Sequence, residues 1–445
     1  MTEQSNRARR AKRTLMSWPQ ISWRSAALPV VLVAIVVAMS IAAQGSQAPK
    51  DVEPSVGTAI TLSRTLSCVR DAGKSSMRIG TVPAGSTGYS EPSGQPGRVT
   101  FEPTAAASGY AAQWATAKGW LAARSCPSPA DDWWFVGAGA GISHRSVLTL
   151  DNPRSNDANV TIVVYGPQGQ VEAPGLSGLL VPAGQSLRLD LESIAPSLGD
   201  LTVHVSAIRG LVAASMWEKW AASPVAKPVS SWVPAAAAPS SQQELIGVPA
   251  KLSHGTLLVA NPSSASAVVR LKVVNGSATF APSSQQTVTV PPQSTSAVGI
   301  DGLLKVGVGA IQLSSSSPIT AGLRSIRGGL EAYGAQAPRL GAQSTLGLPS
   351  GGGATLVLTA QAVAHIEVMV VDARGKVVLT KTVDVAANTT ATMALPSTAA
   401  ALRLVGDRRD TTSGAVIIDR NGIAVLGLVP TATAANVPAV VAQPY

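Results

Sequence analysis

The feature that most restricts the fold is a pattern that recurs three times. FVGAGAGISHRSVLTLDNP (135–153), LIGVPAKLSHGTLLVANP (245–262) and TLGLPSGGGATLVLTA (345–360) align with Gly137, Gly247 and Gly347 in register. These glycines lie 110 and then 100 residues apart. Self-similarity at a fixed spacing marks like units repeated along a chain. About 100 residues is the size of one small domain.

Each copy continues in the same way. A β-rich run follows: NVTIVVYGPQG, SAVVRLKVVNG and HIEVMVVDARG, each ending in a turn that contains glycine. Next comes a strand beside a Pro- or Ala-rich turn: GLLVPAGQSLRLDL, QTVTVPPQSTSAVGI and KTVDVAANTTATMAL. Two further strands close the unit: LTVHVSAIRG then LVAASMW, VGAIQLSSSS then ITAGLRSI, AALRLVGDRR then GAVIIDR. From Leu201 to Ala207 apolar and polar residues alternate with period two, which marks a strand with one buried face. Six or seven short strands per 100 residues, with frequent turn signals, predict an all-β fold of tandem immunoglobulin-like β-sandwich repeats. The expected units are 131–235, 236–335 and 336–445. A stalk of modules is one arrangement, and a three-bladed or shared-sheet one is the other. A smaller β-rich unit is expected at 58–130. Within it, AAQWATAKGWLAARSCP reads equally as a strand or a short helix around Trp114 and Trp120.

Ahead of these units lies an uncharged run, AALPVVLVAIVVAMSIAA (26–43). It is about long enough to cross a bilayer as a helix. Arg7, Arg9, Arg10, Lys12, Arg13 and Arg24 precede it against one acid, Glu3. That asymmetry predicts a basic cytoplasmic leader (1–25), a single transmembrane helix (26–43), a linker (44–57) and an extracytoplasmic body. Residues 40–43 also offer a poor small-residue cleavage site, so a cleaved signal peptide is the alternative. The run is longer than an ordinary signal core, which favours the anchor. Half of the net charge of +10 sits in the first 25 residues. The rest shows no Lys/Arg stripe interleaved with aromatics, so nucleic acid is not an expected partner.

Cys68 and Cys126 are the two cysteines. In an oxidising compartment they have one pairing available. Closing that loop would contribute on the order of 4 kcal/mol in the chain-entropy model.

Catalytic motifs are not found: the chain has no GxSxG, HExxH or GxxxxGK[ST]. No cofactor is expected, and no metal, because His144, His204, His254 and His365 are scattered. His144 and His254 follow a serine at matching positions and read as a repeated turn residue. Asp131, Asp132, Trp133 and Trp134 are the one candidate ligand contact. Indole faces can stack on a sugar while carboxylates accept its hydroxyls. The competing reading is that a tryptophan anchors the first sandwich core. Trp217, Trp220 and Trp232 are expected to seal the junction between the first and second repeats.

CPSPADDWWFVGAGAG followed by SVLTLDNP, VTIVVYGPQG and LLVPAGQSLRLDL resembles an uncharacterised actinobacterial family of membrane-anchored extracytoplasmic proteins, often encoded near a cell-wall glycosyltransferase. The resemblance is weakest in the third repeat, where TLVLTAQ lacks the Asn-Pro. It implies an envelope location and carries no catalytic residue. The expected function is therefore a non-enzymatic, single-pass membrane protein of the cell envelope, with a protein or cell-wall glycan as partner. The alternative is a glycan-binding or glycan-processing accessory of wall assembly.

Overall fold

The computed structural model describes residues 59–60, 64–69, 75–82, 89–90, 97–101, 108–117, 119–249, 251–282, 286–301, 303, 309–341, 343–349, 351–406, 411–431 and 435–436. The expected leader, transmembrane helix and linker lie outside these residues, as does the charged turn at 407–410. Among the described residues no helix is long and apolar enough to cross a membrane.

The described chain is all-β, with strands throughout and a 3-10 turn at Leu191–Ser193. The ambiguous tryptophan segment is a hairpin of Ser108–Ala117 and Trp120–Ser125. Most of the strands form four pairs of sheets. In the first pair, Arg98–Phe101 lies between Arg64–Ser67 and Tyr89–Ser90, and Ser108–Ala117 lies between Ser76–Val82 and Trp120–Ser125.

The other three pairs share one strand order. In the second pair, one sheet runs Gly169–Val171, Ala158–Gly166, Leu201–Arg209, Asp132–Ala138. The other runs Ser186–Asp190, His144–Asp151, Ala213–Trp220, Val229–Val233. In the fourth pair the corresponding orders are Val377–Val385, Ala364–Val371, Ala401–Gly406, Ser344–Gly347, and Thr389–Ala394, Ala354–Ala360, Thr412–Asp419, Ile423–Gly427. The third pair has the same order, with one difference. Its long strand Ala310–Arg327 fills the second-from-edge position in both sheets, pairing first with Ala267–Val274 and then with His254–Asn261.

Alternation explains the cores. Along Ala267–Val274 the side chains alternate between buried and exposed, ending in two buried valines. Along Ala364–Val371 the pattern is nearly the same. Each inner face meets its partner sheet. In the second pair Leu148, Leu150 and Met216 from one sheet join Ile162, Val164 and Val203 from the other in one cluster. Each such side chain contributes roughly 1.5–3 kcal/mol when removed from water. The Asn-Pro motif adds a repeated lock at the turn. Asn152 Nδ2 donates to the Val181 carbonyl, and Asn261 Nδ2 donates to that of Val290.

The four pairs close into a ring and do not extend as a stalk. Trp120–Ser125 packs against Val229–Val233 on one side and Ile423–Gly427 on the other. Leu330–Ala335 packs against the same two strands. The repeated glycines sit at the contacts between pairs. A Cβ on Gly137 would meet Leu258 and Tyr333 of the third pair. One on Gly247 would meet Val425 and Ala415 of the fourth, and one on Gly347 would meet Tyr110 and Ala112 of the first. The spacing first seen in the sequence is thus a spacing of close approaches around the ring.

Candidate functional site

All four pairs contribute to one central cavity of about 260 Å³. Arg64, Tyr110 and Arg124 come from the first pair, and Trp133, Phe135 and Trp232 from the second. The third supplies Gln336 and Ala337, and the fourth Thr345 and Leu426. Concave sites with an apolar lining and a few convergent polar groups are the usual form of a ligand site.

Strand parity divides the aromatic cluster found in the sequence. Residues opposite one another in an antiparallel ladder share a face. Trp133 stands opposite Val205 and Phe135 opposite Val203, so both join the inner face and reach the cavity. Their rings lie 6.5 Å apart and nearly parallel, and Trp133 Nε1 donates to the Val212 carbonyl at 2.9 Å. Trp134 faces the other way. It is buried, stacked on His204 at 3.9 Å and on Tyr165 at 6.0 Å. Asp132 pairs with His204 at 2.7 Å and accepts from Trp134 Nε1, and Asp131 is exposed. The structure therefore places Trp133 at the cavity and assembles Asp132, Trp134 and His204 elsewhere.

Trp217 and Trp232 seal a different junction from the expected one, while Trp220 is buried opposite His144 in the ladder. Trp217 and Trp232 pack with Ala115, Ala122 and Trp120, between the first and second pairs. Trp217 meets Trp232 edge-on at 4.7 Å, and Arg124 lies over Trp232 at 4.9 Å. The sequence holds no direct signal for this choice, because the first pair lies outside the repeat. Cys68 and Cys126 form a disulfide with a Cα–Cα distance of 4.8 Å, inside the core of the first pair. Next to it, Ser67 Oγ donates to the buried Asp151 of the second pair at 2.5 Å, and Arg98 Nε donates to the same carboxylate at 2.9 Å.

The cavity wall carries two cations in different states. Arg124 donates to Gln113 Oε1 and to the Val69 carbonyl. Arg64 is half-buried, and its Nε donates to Ser128 Oγ at 3.0 Å. Burial pulls the pKa of Arg64 below its ordinary value. Among the described residues, no carboxylate forms an ion pair with it. Two oxygens on the wall, Thr345 Oγ1 and Gln336 Oε1, are buried without a hydrogen-bond partner.

A second titratable cluster lies between the second and third pairs. His144 Nδ1 is 2.9 Å from Glu218 Oε1, and Ser146 Oγ donates to Glu218 Oε2. Across the junction Tyr333 donates to Glu331 Oε1 at 2.9 Å, and Arg324 binds Asp200 at 2.8 Å. Burial pushes the Glu331 carboxyl up to about 8, with the nearby Glu218 acting in the same direction. Burial also raises Glu218 well above the carboxylate range and lowers His144. Both members of the His144–Glu218 contact are thus driven towards their neutral forms. Sequence reasoning missed both glutamates. His254, at the matching position to His144, is exposed and meets Asp301 instead. Among the described residues no group of three or more His, Cys, Asp or Glu could hold a metal ion.

A family model described as a family of unknown function (DUF5719) matches residues 90–396, more than half of the chain, and the chain belongs to that family. No curated protein matches it.

Proposed function

We propose that the protein is a non-enzymatic, membrane-anchored component of the cell envelope, whose extracytoplasmic body presents immunoglobulin-like sheet pairs to a protein or wall partner. The observation that carries this reading is the Cys68–Cys126 disulfide within the first pair's core. Such a bond forms and persists in oxidising compartments. The basic leader and the uncharged run 26–43 supply the matching topology. The alternative, a glycan-binding accessory built on Asp131, Asp132, Trp133 and Trp134, is weaker. Its stacking pair is divided, with the Trp134 ring covered by His204 and Tyr165.

Protease treatment of intact cells tests the topology. The expected result is digestion of the body with a protected fragment spanning 1–43, and no thiol alkylation without reductant. Full protection of the body in intact cells, with both cysteines alkylated after lysis, would overturn the proposal.

A further inference from the structure

We propose that the central cavity binds an anionic amphiphile, a medium-chain carboxylate, with its head group at Arg64 and its hydrocarbon along Trp133, Phe135 and Met216. Three observations lead there. The first is charge. A cation removed from water needs a counter-charge or strong acceptors. Arg64 has the Ser128 hydroxyl, burial pulls its pKa down, and among the described residues no carboxylate pairs with it. Arg124, held by Gln113 and Val69 and lying over Trp232, adds positive potential to the same wall. An anionic head group answers the Arg64 charge.

The second observation is the orphaned oxygens. Thr345 is more than nine-tenths buried, lines the cavity, and its Oγ1 has no partner. Gln336 Oε1 on the same wall is likewise unpaired. Buried polar groups are nearly always satisfied, by protein, water or ligand. The Thr345 hydroxyl, and the Gln336 amide once turned, can each donate to an oxygen of a ligand in the cavity. The third observation is the remaining wall, which includes Leu66, Met216, Val233, Ile246, Pro338 and Val429. These side chains suit hydrocarbon. A cavity of about 260 Å³ leaves room for a hydrocarbon chain of medium length. This inference does not depend on where the protein resides, so it stands or falls separately from the envelope reading.

The test uses the full chain in whichever cell fraction, membrane or soluble, it is recovered from. A diazirine-bearing dodecanoate is added and irradiated, and the labelled peptides are mapped by mass spectrometry. The expected label falls on Asp132–Ala138, Ala213–Trp220 or Val229–Val233. Excess decanoate should suppress it at least tenfold better than decanol or decyltrimethylammonium. Arg64→Gln should lower the label at least tenfold, and Arg64→Lys should retain most of it. Thr345→Val, which removes an unpaired hydroxyl without changing shape, should lower it several-fold while leaving the fold intact. If Arg64→Gln does not fold, the competition series on the unaltered chain decides. Label confined to residues 26–43 or to the outer surface, or equal suppression by decanol, would overturn the proposal. So would unchanged labelling in a folded Arg64→Gln protein.

Discussion

Two junctions of the ring have the same glycine at their centre and opposite chemistry around it. Between the second and third pairs, Gly137 approaches Leu258 and Tyr333 beside a buried polar cluster. That cluster holds Glu218, Glu331 and Asp200 against one arginine, Arg324, which Asp200 already engages. Between the third and fourth pairs, Gly247 approaches Val425 and Ala415 beside Ile246, Val274, Ala310, Ala337 and Val357. The carboxylates there, Glu244 and Asp419, each meet an arginine. Arg339 binds Glu244 at 2.9 Å, and Arg327 binds Asp419 at the rim. The contrast teaches that close backbone approach sets the ring, while the chemistry packed beside it sets how each junction responds to its surroundings.

The largest effect should come from breaking the dry junction. Gly247 has φ +79°, and a Cβ there would lie 2.9 Å from Val425. Gly247→Val combines backbone strain with overpacking and should destabilise by about 3 kcal/mol or more. Chemical denaturation would measure it. A loss under about 1 kcal/mol would mean the contact is not close.

The next effect sharpens the buried polar junction between the second and third pairs. Glu331 titrates near 8 in the fold and near 4.5 in the unfolded chain. The folded state therefore holds a proton that the unfolded state has released between those values. Stability should fall as pH rises through that window, by up to about 1.4 kcal/mol per pH unit. Glu218, also raised by burial, steepens the same slope, and the charges facing both are Arg324, Asp200 and His144. Glu331→Gln keeps the acceptor for Tyr333 and removes the titration. It should raise stability at pH 7, by up to about 3 kcal/mol from linkage, and flatten the slope. Denaturation midpoints from pH 5 to 8 would show it. An unchanged slope would place the carboxyl in water.

The smallest effect is at the rim of the dry junction. Arg327 is partly exposed and Asp419 mostly so. Arg327→Met should cost less than about 1 kcal/mol, and the difference should shrink in high salt. A larger, salt-independent loss would mean that this pair belongs to the junction's interior.

Much of the strand content was legible because period-two alternation survives wherever one face of a strand meets water. Ala158–Gly166 and Ala267–Val274 show it plainly. The alternation fails where a second sheet pair covers the outer face. In Ala213–Trp220 six consecutive side chains are buried, Glu218 among them. Glu367, in an equally apolar strand, points outward. Nothing local separates the two glutamates, because the difference lies in what packs outside the strand. Ring closure was hidden for the same reason, since the first pair does not share the repeat. The Trp133–Trp134 division follows from strand parity alone, but which parity faces the cavity depends on that closure.

The contact between Trp120 and the last pair tests ring closure most directly. The Trp120–Leu121 backbone lies against Gly422. With Trp120 replaced by p-benzoylphenylalanine in the full chain, irradiation should join it to peptides from Ile423–Gly427 or the turn before them. Photoproducts confined to Ala213–Trp220 and its neighbours, with none from the fourth pair, would contradict the ring.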